Sequence, residues 1–412
     1  MALANIPVFA NEWKSAEVEK PHSSLSFAKR LQRIAKHNGR SYFSLLTEIL
    51  RLRYGPGKLS FEEYVGLRLY DNTLYGTLDK KTFIGFKTLQ KIWITANYRF
   101  DFFGVVNNKI ATDVLLGTYG FPILPTLAIY RDQVGMKSPF LLRSDDELRA
   151  FLLKKEHYPM FGKPVSGYQS LGTVSISHYD EPKGRLITTA GYGIPIDTLI
   201  SYVKAHAASG YMFQIRVSPH AALRAICGNR LATVRLLTVI AQGKPKVLSA
   251  CWKIPAGTNI ADNFWRPGNL LAQLHMETGT VLRVVRGNAE GFEELTDHPD
   301  SGLPIVGTVV PNWQQILQLV IESAKVIEEL ALIGWDVAPV DSGAIIVEVN
   351  ETPDFKLHQL ADGKGLLDAD FKRFLEERKA HAAQWLKNSR QKKKTITELV
   401  PSTAASPADS TK

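Results

Sequence analysis

Three oxygen-bearing side chains stand in a pattern that could hold a hard cation. They lie in Gly334-Trp335-Asp336-Val337-Ala338-Pro339-Val340-Asp341-Ser342-Gly343-Ala344-Ile345-Ile346-Val347-Glu348-Val349-Asn350-Glu351-Thr352-Pro353-Asp354. Two apolar runs flank Asp341-Ser342-Gly343, a turn composition, which predicts a β-hairpin. With all three residues in the loop, Val340 pairs with Ala344 and Asp336 falls opposite Glu348. Strand alternation then puts Asn350 on the face of Glu348. A two-residue turn at Ser342-Gly343 would pair Asp336 with Val349 instead. Cross-strand Cβ atoms lie roughly 4.5–5.5 Å apart, so two carboxylates placed there repel unless a cation joins them. A set of oxygens without His or Cys suits Mg²⁺, which keeps several waters and binds through one or two carboxylates plus substrate phosphates. The same pattern also fits a half-exposed hairpin whose polar residues face water.

A second group of residues could hold an anion. Pro159-Met160-Phe161-Gly162-Lys163-Pro164-Val165 reads as a strand, and Ser166-Gly167-Tyr168-Gln169-Ser170-Leu171-Gly172 as a loop of small residues before another strand at 173–177. Glycine lets backbone N–H groups approach a polyphosphate closely, and Lys163 supplies charge from the adjoining strand. No Gly-Lys-Ser/Thr opens a helix here, so it is not a Walker loop. A glycine-containing hairpin turn gives the same composition. In Asn229-Arg230-Leu231-Ala232-Thr233-Val234-Arg235-Leu236, Thr233 and Arg235 share one face of a strand whose other face is apolar. A base inside such a strand needs an anionic partner or a route to water, and a phosphate or carboxylate is the favoured partner. The strand at 247–253 also ends in a base, Lys253. Tyr211-Met212-Phe213-Gln214-Ile215-Arg216-Val217 is a strand whose backbone could read an adenine edge, or a plain core strand. His275 reads as an exposed or satisfied histidine before it reads as a catalytic one.

The elements that must position these groups follow from periodicity and capping. Residues 25–99 carry helical patterning, with a capping box at Ser60-Phe61-Glu62-Glu63, Leu59 and Tyr64 placed as its hydrophobic staple, and a helix over 82–97. A helix opens at Asn108-Lys109 and runs to about 118. Gly120-Phe121-Pro122-Ile123-Leu124-Pro125 breaks it and leads into a strand at 126–130. Ser144 caps a helix to about 156, a helix spans 196–207, and Asn312 caps one to about 332 that delivers the chain into the hairpin. Residues 255–305 read as loop-rich, and a stretch of that length is often functional. The last helix is expected over 369–386. We expect domains at 1–106 (helical, with an extended arm over 1–23) and 107–387, with a lid at about 159–217, followed by a disordered basic tail at 388–412.

Composition narrows the class. The chain has 412 residues and a formal net charge of +10, part of it in Arg390-Gln391-Lys392-Lys393-Lys394, which reads as a solvated tail. The remaining excess fits an anionic ligand such as a nucleotide. No nucleic-acid-binding motif appears, so no nucleic-acid partner is expected. Cys227 and Cys251 form no framework and no signal-peptide pattern opens the chain, which reads as cytoplasmic. The longest uncharged run, 114–130, is broken by Gly117, Gly120, Pro122 and Pro125 and is not a membrane span.

In this order and spacing the pieces resemble the ATP-grasp proteins over about residues 108–357, and within them the sugar-transfer-associated subgroup. Asn108-Lys109 through Pro125 looks like the family's first lysine, helix and Gly-Phe-Pro-x-x-Pro turn. Phe161-Gly162-Lys163-Pro164 and the glycine loop look like its second lysine and lid. Asp336, Glu348, Asn350 and Thr352-Pro353 look like its metal ligands and the segment after them. The resemblance implies an α+β fold in which two subdomains clasp ATP behind a mainly helical N-terminal domain. It implies phosphate or base contacts from Lys109, Lys163, Gly167, Ser170, Gly172, Gln214, Ile215, Arg216 and Val217, and Mg²⁺ (Mn²⁺ as the alternative) on Asp336, Glu348 and Asn350. Arg235 would stabilise the transferring phosphoryl group or an acyl-phosphate, and Lys253 stands with it among the catalytic residues. The implied activity is a carboxylate–amine ligase working through an acyl-phosphate on amino acids or sugar acids, with a homodimer as the family's common state. A nucleotide-binding regulator or a phosphotransferase on the same fold is the alternative. Two departures stand out: Gln214 where many relatives carry a carboxylate, and Pro267-Gly268-Asn269 where paired glycines are commoner.

Overall fold

The computed structural model describes residues 26–131, 140–166, 172–288 and 291–399, the last ten as backbone. Two seven-stranded sheets carry the fold. The first contains β1 (Thr126–Tyr130), β2 (Leu141–Leu142), β3 (Met160–Pro164), β4 (Val174–Asp180), β5 (Arg185–Thr188), β6 (Gly193–Pro195) and β7 (Tyr211–Ile215), in the order β2-β1-β7-β3-β4-β5-β6. The second contains β8 (Val234–Ala241), β9 (Lys244–Ile254), β10 (Leu270–Leu274), β11 (Val281–Asn288), β12 (Gly291–Leu295), β13 (Leu332–Val340) and β14 (Gly343–Asn350), in the order β12-β11-β10-β9-β8-β13-β14. Residues 255–305 are therefore less irregular than their composition suggests, because β10 to β12 form an antiparallel meander there. Its strands bury apolar residues on both faces, Leu270, Ala272 and Val284 on one and Leu271, Val285 and Phe292 on the other, which hides the alternation that marks a half-buried strand.

The N-terminal helices are α1 (Phe27–His37), α2 (Tyr42–Tyr54), α3 (Phe61–Gly66) and α4 (Phe86–Ala96). The capping box forms as its residues dictate. Ser60 Oγ accepts from Glu63 N at 3.2 Å and Ser60 N donates to Glu63 Oε2 at 2.7 Å. Leu59 and Tyr64 are both buried. α4 starts later than the periodicity predicts, because Lys80–Thr82 forms a separate 3₁₀ turn and Gly57 O accepts from Gly85 N at 2.8 Å just before the helix. These helices do not enclose a core of their own. Leu45, Leu52, Tyr64 and Phe83 share one with Cys251, Leu271, Val285 and Phe292 of the second sheet, and with Leu357 and Leu360 of a later helix, α10 (Phe355–Asp362).

Between these come α5 (Lys109–Thr118), α6 (Asp145–Leu152), α7 (Ile196–Lys204), α8 (Ala221–Cys227) and α9 (Trp313–Val326). α6 and α7 pack on the first sheet through Leu148, Leu152, Leu199 and Val203. α9 covers the second sheet through Ile316, Val320 and Ala324, against Leu236, Trp252 and Trp335. It ends at Val326, earlier than expected, because Leu332 already begins β13. Asn312 does not cap it. Asn312 is left-handed (φ 58°), and its Nδ2 donates to Val340 O at 3.0 Å and Gly343 O at 2.8 Å, clasping the end of the hairpin. The final helix, α11 (Ala369–Leu399), runs past the expected end, so residues 388–399 are helical where disorder was expected. The arm at 1–23 and the tail beyond Leu399 lie outside the described residues. No helix among the described residues is long and apolar enough to cross a membrane.

Candidate nucleotide and metal site

The hairpin reaches the expected pairing by a different route. Val340 pairs with Gly343, so the turn is Asp341-Ser342. A register in which those two residues alone turn would put Val347 opposite Asp336. A β-bulge between Asp336 and Val337 inserts one residue, and Asp336 lies opposite Glu348 after all, with Gly334 opposite Asn350. The turn is anchored from outside. Asp341 Oδ1 accepts from Ala221 N at 2.7 Å, and Arg224 of α8 pairs with Asp341 Oδ2 at 3.2 Å.

The core-facing positions of these strands are Val234, Leu236, Trp252, Trp335 and Val337. Alternation turns Arg235, Lys253 and Asp336 to the other face. Arg235 stands opposite Asp336 and opposite Cys251. Its Nε and Nη2 donate to Asp336 Oδ1 and Oδ2 at 2.6 and 2.8 Å, a two-pronged pair. Lys253 Nζ lies 3.1 Å from Asp336 Oδ2 and 3.4 Å from Asp262 Oδ1. Burial pushes the Asp336 carboxyl up, but Arg235 and then Lys253 outweigh it and hold the group at about 2. Burial would likewise strip charge from Lys253, and Asp262 and Asp336 keep it charged.

A cavity of about 150 Å³ opens between the two sheets over this row. From the second sheet's side it is lined by Thr233, Lys253, Asp336, Val347 and Glu348, and from the first by Phe161, Lys163, Pro164 and Ser175, with Ile215 at the end of β7 and Arg216 and Val217 just beyond it. Lys109, the first residue of α5, sits 3.2 Å from Glu348 Oε1. Asn108 fixes that helix start, its Oδ1 accepting from Ile110 N and Ala111 N at 3.1 and 3.2 Å. Lys163 is 8% exposed and has no carboxylate partner among the described residues. Burial depresses its pKa, and Glu348 and Asp113 only partly restore it. Arg216 also lacks a carboxylate partner among the described residues, since its Nη2 donates to the Asn229 carbonyl.

The sequence-derived residues thus divide. Lys109, Lys163, Ile215, Arg216, Val217, Lys253, Asp336 and Glu348 line the cavity, and Arg235 supports it from directly behind Asp336. Asn350 does not line it, and its Nδ2 is buried without a partner among the described residues. Gly172 does not line it either. Its positive φ of 78° and the Tyr202 hydroxyl, 2.4 Å from where a Cβ would stand, give that glycine a packing reason. Gly167 and Ser170 lie outside the described residues. Within 214–217 the Ile215 and Arg216 N–H groups already donate to Pro125 O and Pro159 O at 3.0 and 3.1 Å, leaving Val217 N–H as the donor for a base edge. His275 is exposed and away from the cavity.

Asp113 was not singled out by sequence, and Asp262 entered only within the Asp262-Asn263-Phe264 segment shared with the subgroup, with no role of its own. Gln214 Nε2 donates to Asp113 Oδ2 at 3.0 Å, so the carboxylate missing at 214 stands on α5 instead. Burial pushes Asp113 up to about 6, with Lys163 and Lys109 opposing it. Asp262 lies in the long loop after β9. The one further sequence signal for either was helical or loop position relative to a known lysine.

Asp336 and Glu348 are hard oxygen donors lining one cavity, a donor type that suits a divalent cation; Asp336 is already paired with Arg235 and Lys253 and Glu348 with Lys109, so a cation there would share or displace those partners. Among the described residues no group of three or more His, Cys, Asp or Glu side chains forms a metal cluster.

No curated protein matches the chain. Among solved structures it is similar to the D-alanine–D-alanine ligase of Coxiella burnetii, at 14% identity, TM-score 0.42, with 71% of this chain and 62% of that one covered. An L-amino acid ligase from Bacillus licheniformis matches at 11% identity and TM-score 0.36, over 66% and 48% of the two chains. An ADP complex of N5-carboxyaminoimidazole ribonucleotide synthetase matches at 12% and 0.37, over 70% and 59%. The chain thus spans less than two thirds of the Coxiella enzyme's length. The sequence profile of the sugar-transfer associated ATP-grasp family matches residues 89–373, well over half of the chain, and the protein belongs to that family.

Proposed function

We propose that the protein is an ATP-dependent carboxylate–amine ligase. The observation that carries this reading is Lys163, a buried lysine facing the cavity with no carboxylate in contact with it among the described residues. A buried cation of this kind is costly unless a ligand anion completes it. Lys109 stands at the same end, and Leu124, Phe161 and Ile215 offer an apolar slot beside Val217 N–H for a base.

Asp336 and Glu348 would hold the Mg²⁺ of Mg-ATP, which supplies neutralisation of phosphate charge. Lys163 and Lys109 bind the β- and γ-phosphates. A substrate carboxylate attacks the γ-phosphorus, its C–O–P bond forming as the bond to the ADP oxygen breaks. Arg235 and Lys253, fixed by Asp336 before substrate arrives, present positive charge toward the transferring group and the acyl-phosphate, a preorganised field that needs no reorganisation during the reaction. The amine then displaces phosphate. The apolar walls of the cavity, Leu124, Phe161 and Ile215, would limit water at the acyl-phosphate.

The test is ADP release from Mg-ATP by the full chain with amino acids and sugar acids, alone and paired with primary amines, with Glu348→Ala alongside. ADP release that depends on an acid–amine pair and is lost in Glu348→Ala supports a ligase. ADP release with an acid alone and no amide product from any pair refutes amide formation and favours a phosphotransferase.

A further inference from the structure

The loop between β9 and β10 is built to hold one carboxylate still. Asn269, 1% exposed, staples it: its Nδ2 donates to Ala261 O and Asn263 O, both at 2.8 Å, and its Oδ1 accepts from Ala256 N at 3.0 Å. Asn259 Nδ2 ties Ala256 O to Pro267 O at 3.1 and 2.9 Å. Asp262 sits inside this frame and lines the cavity. Its Oδ2 accepts from Thr233 N at 2.7 Å and Thr233 Oγ1 at 2.5 Å. Among the described residues its Oδ1 has only the longer 3.4 Å contact with Lys253. One oxygen is thus anchored and the other is left with lone pairs open toward the cavity.

Strand order fixes which end of the site this is. Neighbouring strands lie about 4.8 Å apart, and Glu348, Asp336, Arg235 and Lys253 occupy β14, β13, β8 and β9 in turn. The nucleotide lysines are at the Glu348 end, where Lys109 pairs. Asp262 hangs from Thr233, just before β8, and reaches Lys253 of β9, so it lies off the Lys253 end of this row, with Lys253 Nζ in contact with both it and Asp336. A second substrate approaching the acyl carbon from the side away from ADP meets Asp262.

We propose that Asp262 is the base for the second substrate, which makes that substrate a primary amine arriving as an ammonium ion. This rests on the ligase reading above. Asp262 Oδ1 takes one proton from the ammonium group. The freed nitrogen lone pair forms the C–N bond to the acyl carbon, and the C–O bond to the phosphate breaks with its electron pair leaving on phosphate. The remaining excess proton on nitrogen passes to the departing phosphate, and Asp262 returns its own to solvent. The charged or titratable groups facing Asp262 are Lys253 of β9, Asp336 of β13 and the Cys227 thiol of α8. Burial raises the Asp262 pKa and Lys253 opposes that rise, consistent with a carboxylate able to accept a proton.

The experiment compares two nucleophiles in the full-length protein and in Asp262→Asn. Hydroxylamine is neutral near pH 7 and traps the acyl-phosphate as a hydroxamate without a base. A primary amine is protonated at that pH and needs one. With an acid that gives wild-type hydroxamate, Asp262→Asn is expected to keep hydroxamate formation and lose amide formation by about 10²- to 10⁴-fold. The loss shrinks as pH rises toward the amine's own pKa, and Asp262→Glu restores most of the rate. Equal losses with both nucleophiles, or no loss with either, overturn the assignment. No hydroxamate from the wild type with any acid of the panel overturns the ligase reading itself, and this inference with it. If Asp262→Asn fails to fold, shown by a lost thermal transition, the same two-nucleophile comparison is made with Asp262→Glu. There the base is displaced by one methylene, and a loss confined to the amine is expected; equal losses again overturn the assignment.

Discussion

Replacing Lys163 by methionine separates what this residue does for ATP from what it costs the fold. Lys163 is 8% exposed, has no carboxylate partner among the described residues, and is held below its ordinary pKa by burial. Leaving a buried polar group unanswered costs about 1–3 kcal/mol, and the cavity on one side of its ammonium places it at the lower end of that range. Methionine keeps the stem's length and volume and removes the charge. The nucleotide-free variant should therefore be more stable by about 1 kcal/mol. A charge-assisted bond to phosphate is worth about 1.5–3 kcal/mol, so Mg-ATP affinity should fall by about 10- to 150-fold. Linkage adds a second signature. The unfolded chain binds more protons at this lysine than the folded one does between the depressed native pKa and about 10.4. Wild-type stability therefore rises with pH across that window, and Lys163→Met lacks that part of the rise. Urea denaturation without nucleotide and calorimetry with Mg-ATP read the two effects. A variant destabilised by more than about 1 kcal/mol with unchanged Mg-ATP affinity would refute the reasoning, because the lysine would then be a structural partner and not a waiting ligand site.

Asp113, pushed up to about 6 by burial, is protonated in the folded chain at pH values where the unfolded carboxyl is ionised. Its contribution to stability therefore declines as pH rises from about 3.9 toward 6. Asp113→Asn should remove that decline and stabilise the chain at pH 7 by at most about 2–3 kcal/mol, read by denaturant melts from acid to neutral pH; an unchanged pH profile contradicts it. Ser60→Ala removes the hydroxyl that accepts from Glu63 N and donates to Glu63 Oε2, while the backbone N–H of residue 60 keeps its bond to Glu63; it should cost about 1 kcal/mol, with Mg-ATP binding unaltered. Deleting Val347 removes the bulge and still leaves Asp336 opposite Glu348, so it should fold with a loss of no more than about 1 kcal/mol while weakening nucleotide binding through the lost cavity wall. Deleting Ile345 instead turns Ile346 out of the core and should abolish the cooperative melt; equal behaviour of the two deletions would refute the bulge argument.

The hairpin shows what a sequence can and cannot disclose. The apolar runs announced two strands and the reading put Asp336 opposite Glu348, because burial on the other face of these strands leaves little freedom; that Arg235 joins them from β8 appears only in the fold. The turn was a residue shorter than its composition suggested, and a bulge made up the difference. Nothing in Ile346-Val347-Glu348 marks a bulge, since it arises from pairing with a partner strand and not from local propensity. The roles of Asp113 and Asp262 were hidden for a related reason. On the sequence each is an ordinary acid in a helix or a loop, and only the meeting of α5 with β7, and of the 255–269 loop with β8, gives it a partner. The β10–β12 meander was hidden because its strands bury residues on both faces, Leu270, Ala272 and Val284 in one core and Leu271, Val285 and Phe292 in another, and break the rest with the ion pairs Arg283 to Glu294 and Arg286 to Glu293, so no two-residue alternation shows.

The charges around the cavity explain why a site of this kind tolerates so many buried ions. Fixed pairs close most of them: Lys109 with Glu348, Arg235 and Lys253 with Asp336, Lys253 with Asp262. Buried pairs add little net stability, since desolvation offsets their attraction, and apolar side chains of the same volume would fill the space as well. What the pairs provide is direction, because each cation is held in place before any ligand arrives. Lys163 and Arg216 are the lining cations left without a carboxylate among the described residues, and both stand on the first sheet's side of the cavity. The second sheet is therefore electrostatically nearly complete and the first is not. An anion entering between them is drawn toward the first sheet by its unanswered charge and meets on the other side a row already rigid, so the cost of ordering the reactive groups falls on folding and not on binding.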